Sequence, residues 1–266
     1  MLELSAALTA YFIFIAALLG LVMGSFLNCF AYRYTNKESV LRGRSKCALC
    51  GHALGSRDLV PVFSWLFLKG KCRYCGGKIS PRYVAAELVC AVFYVSVLLR
   101  FGISVSILKY MIFVTLLFAA ATTDLYCGLI PDRVVIIGIV TAFGFVFLPP
   151  EGIVRSLITT TIGGFSVALP LLLCVLIFDK IMKRETMGGG DIKLMFMIGL
   201  FFDWKLNILI IILACILGLL FTLLQRKKSS GGEKAFPFAP ALCTAAWLTM
   251  LFGDRLLGWY LRLFLL

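Results

Sequence analysis

The sequence is short of negative charge, of histidine and of polar stretches. Its 266 residues include 13 Asp and Glu against 26 Lys and Arg, and a single histidine. Hydrophobic residues make up 61% of the chain, whereas an ordinary soluble domain is about 45–50% apolar. This excess is arranged in long runs, which excludes a chain that is soluble as a whole. We therefore expect an all-α polytopic membrane protein, in which each crossing helix needs roughly 20 apolar residues.

The apolar runs predict about eight transmembrane helices. The first run has no basic residues before it and no small-residue cleavage site after it, so we expect a retained helix and not a cleaved signal. One soluble subdomain is expected at 34–81, and the rest is predicted to be a membrane bundle. The predicted helices cover 6–32, 82–100, 105–123, 133–149, 154–178, 191–203, 206–225 and 237–253.

The formal net charge of +13 is concentrated in alternate loops. Basic residues cluster in the segments 33–81, 179–193 and 226–236, which eight crossings place on one side of the membrane. That side is expected to be cytoplasmic, with both termini outside. The aromatic residues lie mostly inside apolar runs and are not interleaved with the basic ones, so we expect the lipid bilayer as a partner and no nucleic acid.

Four of the ten cysteines form two C-x-x-C pairs, Cys47/Cys50 and Cys72/Cys75, separated by 21 residues. Two such pairs are typical of a zinc ribbon, in which four thiolates bind one tetrahedral zinc ion. Such a site is structural, because it leaves no open position for water. The alternative is a pair of disulfides, which a reducing cytoplasm disfavours. His52 is interpreted as a bystander beside the first pair.

One acid lies inside a predicted membrane helix, Glu87. An embedded carboxylate is costly and is a functional candidate by default. The alternative is an interfacial carboxylate paired with Arg82 or Arg33. The sequence does not separate the two interpretations.

Three further acids, Asp124, Asp132 and Asp191, are predicted at the same membrane face. Two close carboxylates can hydrolyse an amide without a metal: one activates water, and the other polarises the carbonyl and protonates the leaving amine. The glycines 188–190 before Asp191 allow a substrate backbone to approach. Each acid also has a structural alternative, as a solvated helix end for Asp124 or as a helix N-cap for the other two.

The motifs, and the order in which they follow one another along the chain, resemble those of the bacterial type IV prepilin peptidases. These proteins are also called leader peptidase/N-methyltransferases and are GxGD-type membrane aspartyl proteases. The resemblance covers most of the chain and is carried by GSFLN at 24–28, the two cysteine pairs, ISPRY at 79–83, Asp124 with IPD at 130–132, GGGDIKL at 188–194, and FPFAP at 236–240.

The resemblance implies cleavage of the basic leader of prepilins or pseudopilins at the cytoplasmic membrane surface of the bacterial inner membrane. It also implies methylation of the new N-terminus with S-adenosylmethionine. Carried over by motif, Asp124 and Asp191 are the catalytic pair, and Gly188, Gly190, Lys193 and Asp132 support the site. The implied regions are 1–100 with the cysteine loop, an aspartyl peptidase core at 101–225, and a C-terminal helix and tail at 226–266.

The sequence departs from the family pattern in the N-terminal region, where Tyr34-Thr35, Cys-Ala-Leu-Cys at 47–50 and Asp58-Leu59-Val60-Pro61 replace the usual residues. The methyltransferase activity is therefore carried over without any assigned residue. Two alternatives stay open from the sequence: a peptidase without methylation, and a non-enzymatic scaffold or transporter with a ribbon docking loop.

Overall fold

The computed structural model describes residues 6–39, 43–148, 152–183, 187–226 and 237–264. Within these ranges the chain is built of α-helices, with two short 3₁₀ segments and no β-strand beyond two isolated bridges. The described helices are α1 (Ala6–Thr35), α2 (Phe63–Phe67), α3 (Arg82–Phe101), α4 (Val105–Cys127), α5 (Asp132–Gly144), α6 (Ile153–Met182), α7 (Gly189–Gly199), α8 (Trp204–Arg226) and α9 (Ala239–Phe264).

The prediction of an α-helical membrane protein is confirmed, and each of the eight predicted apolar segments forms a helix. In the part of the chain that the structure describes, five helices are long and apolar enough to cross a membrane: α1, α3, α4, α6 and α8. The predicted count of eight crossings is not confirmed, because α5 and α7 have only 13 and 11 residues. A helix that crosses the membrane needs roughly 20 residues. The last predicted helix ends at residue 253, but α9 continues to Phe264.

The chain divides into two compact units, Met1–Tyr126 and Cys127–Leu266. In the first unit, glycines bring α1 close to α3. A Cβ on Gly20 would lie 2.5 Å from the Cα of Ala91, and one on Gly24 would lie 2.8 Å from the Cα of Glu87. Close backbone approach at small residues is the usual way that membrane helices pack, since burial from water provides no driving force there.

In the second unit, α6, α7 and α8 meet at a glycine contact. Gly163 of α6 faces the backbone oxygens of Gly199 and Phe202, so that a Cβ has no room. The side chain of Asn207 on α8 is fully buried, and its Nδ2 donates to the carbonyl oxygens of Gly163 at 3.0 Å and of Gly199 at 3.2 Å. One buried amide therefore joins three helices.

Candidate metal centre and aspartate motifs

The two cysteine pairs fold into matching turns. After each pair the chain reverses, with the N–H of Cys47 donating to the carbonyl of His52 and that of Cys72 to Gly77. The glycine after each pair, Gly51 and Gly76, has φ near +70°, a conformation that favours glycine. The C-x-x-C spacing thus produces two equivalent knuckles.

The structure brings the two knuckles together. The sulfur atoms of Cys47, Cys50, Cys72 and Cys75 all lie within 4.8 Å of one another, and none of the four is in a disulfide. Tetrahedral zinc with Zn–S bonds of about 2.3 Å requires four sulfurs clustered in this way. The predicted ligand set therefore fits a zinc ion, and the disulfide alternative does not describe this arrangement.

The thiols of the group shift one another's pKa values. The backbone of Gly77 lowers the pKa of the Cys75 thiol, but burial and the three neighbouring thiols raise it to about 11. The backbone N–H groups of Cys50 and Leu49, and then the thiols of Cys72 and Cys50, lower the pKa of the Cys47 thiol to about 7. A lower thiol pKa favours the thiolate, which is the form that binds metal. His52 is not a member of the ligand group, and its ring lies 3.7 Å, centroid to centroid, from that of Tyr74. The bystander interpretation of His52 agrees with this contact.

Asp58 is a structural residue that the sequence reasoning missed. Its side chain is only 6% exposed and accepts hydrogen bonds from Arg73 Nε at 2.7 Å, Tyr74 Oη at 3.0 Å and the Gly55 N–H at 3.1 Å. Burial by itself would raise the pKa of Asp58, but the hydrogen bonds from Arg73, Gly55 and Tyr74 lower it below its ordinary value. Asp58 thus fastens the second knuckle to the segment before α2.

Glu87 is buried in α3 and accepts a hydrogen bond from the backbone N–H of Val62 at 2.8 Å. Arg33, the suggested partner, donates to the carbonyl oxygens of Ser39 at 3.2 Å and of Gly43 at 2.9 Å. Glu87 therefore joins the cysteine loop to the membrane helix through the loop backbone. No sequence pattern indicated this partner.

Asp124 lies inside α4, three residues before its end. It is 8% exposed, so the alternative of a solvated helix end is wrong. The hydroxyls of Thr122 and Thr123 before it donate to carbonyls one turn back in the same helix. The carboxylate of Asp124 therefore belongs to a continuous, buried stretch of α4.

Asp132 and the glycine motif meet in the second unit. Asp132 is the first residue of α5, with Pro131 at the N-cap position, so Asp132 is not the cap. Its Oδ1 accepts a hydrogen bond from Lys193 Nζ at 2.7 Å. A Cβ on Gly190 would lie 3.4 Å from Ile130 Cβ. The IPD and GGGDIKL motifs are therefore packed against each other.

Asp191 lies in the first turn of α7 and is partly exposed. Gly188 occupies the N-cap position, so the interpretation of Asp191 as the cap is also wrong. The N–H of Asp191 donates to the carbonyl of Gly188 at 3.1 Å. An acid in the first turn of a helix is favoured by the partial positive charge of the helix N-terminus.

Comparison with known proteins agrees with these motifs. Residues 18–101 match the model of the bacterial peptidase A24 N-terminal domain, and residues 111–223 match that of the type IV leader peptidase family. No solved structure matches the chain.

Similarity to curated proteins extends over nearly the whole chain. A prepilin leader peptidase/N-methyltransferase of Bacillus subtilis (strain 168) is 32% identical, covering 92% of this chain and 96% of that protein. Proteins of the same description from Pseudomonas putida and Aeromonas hydrophila are 32% and 29% identical, covering 93% and 100% of this chain and 93% and 99% of their own lengths. The chain therefore belongs to the type IV leader peptidase family.

Proposed function

We propose that this protein removes the leader peptide of prepilins or pseudopilins by aspartate-catalysed hydrolysis and then methylates the new N-terminus. The observation that carries the proposal is similarity over more than nine tenths of both chains to relatives described as having both activities. This similarity includes the cysteine loop as well as the aspartate motifs.

The peptidase step is proposed to use Asp124 and Asp191. One carboxylate, ionised, takes a proton from water as the water oxygen attacks the carbonyl carbon of the scissile amide. The other, protonated, polarises the carbonyl oxygen and gives its proton to the leaving nitrogen as the C–N bond breaks. The burial of Asp124 and the position of Asp191 in the first turn of α7, directly after the glycines, support these roles.

Gly188, Gly190, Lys193 and Asp132 are proposed to support the peptidase site. A Cβ on Gly189 would meet nothing within 4 Å, and one on Gly188 would meet only Asp191, at 3.6 Å. This free space on one side of the motif suits an extended substrate backbone. The Lys193–Asp132 ion pair links the start of α7 to the start of α5 and so holds Asp191 in a defined position.

The cysteine ribbon is proposed to hold one structural zinc ion through Cys47, Cys50, Cys72 and Cys75. The ion would tie the two knuckles together and supply no catalysis, since four thiolates fill a tetrahedral site. The methyl donor is proposed to be S-adenosylmethionine. The methyl group passes from its sulfonium to the amine, the amine loses a proton, and S-adenosylhomocysteine leaves.

The apolar helices and the family together indicate a multi-pass inner membrane protein. We propose that the aspartates and the ribbon lie on the cytoplasmic side, because the basic segments 33–81 and 179–193 flank them. The N-terminus, which α1 separates from segment 33–81, is then outside. The third basic segment is consistent in sequence, but its residues 227–236 lie outside the described part of the chain.

The test is co-expression with a prepilin, followed by mass analysis of the pilin N-terminus. The native protein should remove the leader and add the mass of one methyl group. Asp124→Asn and Asp191→Asn should each abolish cleavage, and the double variant should be no worse than either single one, because two residues that act as a unit are not additive.

The matched control is Asp203→Asn. Asp203 is an exposed acid that follows α7 and caps the Trp204 N–H through Oδ1 at 2.8 Å, a bond that asparagine retains. Cleavage by this variant should equal that of the native protein. Near-normal processing by the Asp124 or the Asp191 variant would refute the dyad, and a cleaved but unmethylated N-terminus would refute the methyltransferase.

A further inference from the structure

The short helix α2 has an apolar face that the protein leaves uncovered. Phe63, Leu66 and Phe67 are 52%, 56% and 82% exposed. Residues three and four apart lie on the same side of a helix, so these side chains form one face. Leu59 and Val60, just before α2, are also exposed. A ribbon surrounded by water would not keep such a patch without a partner.

The opposite side of α2 is fastened to the ribbon. Trp65 donates its Nε1–H to the carbonyl of Ile79 at 3.1 Å, and its ring lies against Gly70, where a Cβ would be 2.9 Å from Trp65 Cζ2. The orientation of α2 is therefore determined by Trp65. The apolar face points outward because the indole holds the other face inward.

Glu87 determines the position of α2 along the axis of α3, and so its depth relative to the membrane. The Val62 N–H at the start of α2 donates to this carboxylate at 2.8 Å, although Val62 has a φ of +62°, which is unfavourable for a β-branched residue. α3 has 20 residues and is about 30 Å long, the thickness of the hydrocarbon core. Glu87 lies five residues after Arg82, about 8 Å along this helix. The start of α2 is thus level with the second turn of a membrane-crossing helix.

The charge around the patch favours a lipid partner. Exposed lysines, Lys69, Lys71 and Lys78, follow α2, and Asp58 is the single acid of segment 43–81. That acid is already bonded to Arg73. An apolar face flanked by unneutralised lysines is the composition of a segment that lies in the interface of an anionic membrane.

We propose that α2 lies in the membrane–water interface, with Phe63, Leu66 and Phe67 against lipid acyl chains and the neighbouring lysines against anionic headgroups. The ribbon then rests on the membrane surface at three points: the end of α1, the start of α3, and α2. Its zinc knuckles are held at a defined height above the bilayer.

The test is photo-crosslinking of the full-length protein in vesicles of phosphatidylethanolamine and phosphatidylglycerol. A benzoylphenylalanine at Phe67 should form lipid adducts, detected by mass spectrometry, at a yield comparable to that from Val92, an exposed residue in the middle of α3. The comparison position is Leu49, which is 68% exposed on the first knuckle and outside α2. Its lipid yield should be several-fold lower.

Three results would overturn the proposal: no lipid adduct at Phe67 while Val92 is labelled, equal yields at Phe67 and Leu49, or adducts at Phe67 with protein in place of lipid. A second variant tests the height of α2. Glu87→Ala removes the acceptor for Val62 and should lower the Phe67 lipid yield several-fold without lowering that of Val92. An unchanged yield at Phe67 would overturn the role of Glu87.

Discussion

The cysteine ribbon, residues 43–81, and the α6–α7–α8 contact of the second unit are held together by opposite means. The ribbon depends on polar groups: four sulfurs within 4.8 Å of one another and a carboxylate, Asp58, with three donors. The helix contact depends on the lack of a Cβ at Gly163 and Gly199, which lets the backbones of α6 and α7 touch. A polar ribbon is therefore sensitive to the loss of a ligand, whereas a membrane helix contact is sensitive to added volume.

The largest effect is expected from removing a sulfur ligand. Cys72→Ser should reduce the zinc content of the purified protein from about one per chain to near zero, because zinc binding contributes roughly 10–16 kcal/mol to the folding of such sites. Metal analysis of protein prepared without chelators measures this. The control is Cys174→Ser, an exposed cysteine of α6, which should retain zinc. Full zinc in the Cys72 variant would disprove the ribbon site.

The next effect is expected from added volume at the helix contact. Gly163→Ala would place a Cβ against the carbonyl oxygens of Gly199 and Phe202, which should cost about 1–3 kcal/mol. Thermal unfolding in detergent should show a lower midpoint. The matched control is Gly189→Ala, whose Cβ would meet nothing within 4 Å. Equal midpoints for the two variants would contradict the packing argument.

A comparable loss is expected from the buried amide. Asn207→Ala removes the Nδ2 bonds to Gly163 and Gly199 and should lower the free energy of unfolding by about 1–3 kcal/mol. The Oδ1 of Asn207 has no partner among the described residues, so the loss comes from the donor side. The exposed Asn36→Ala serves as control and should stay within about 0.5 kcal/mol of the native protein. A similar change in both would refute the three-helix role of Asn207.

The smallest effect on stability is expected at the Lys193–Asp132 ion pair. Its side chains are 58% and 68% exposed, so Lys193→Met should cost at most about 1 kcal/mol. Leader cleavage should nevertheless slow if the pair positions the first turn of α7, as we propose. The exchange variant Asp132→Lys with Lys193→Asp should recover part of the rate. Cleavage at the native rate in Lys193→Met would show that the pair positions nothing.

The features that could be predicted from the sequence are those that depend on local spacing. A C-x-x-C turn places two sulfurs together whatever the rest of the chain does, so Cys47 with Cys50 and Cys72 with Cys75 were recognisable as ligand pairs. The same holds for apolar runs, since every predicted run became a helix. The alternative interpretation of Asp132 and Asp191 as helix N-caps is wrong, because the residue that begins a helix depends on neighbours such as Pro131 and Gly188.

The sequence by itself thus determined the membrane class, the four cysteines that cluster in the ribbon and, by its motifs, the family. Only the tertiary structure decided the partners of the isolated polar groups: Glu87 with the Val62 N–H, 25 residues away, and Lys193 with Asp132, 61 residues away. It also decided that α5 and α7 are shorter than a membrane crossing. The physical reason is that packing decides which distant groups meet. Burial then makes a hydrogen-bond partner obligatory for Glu87, whereas the exposed Lys193–Asp132 pair meets only because α5 and α7 pack together.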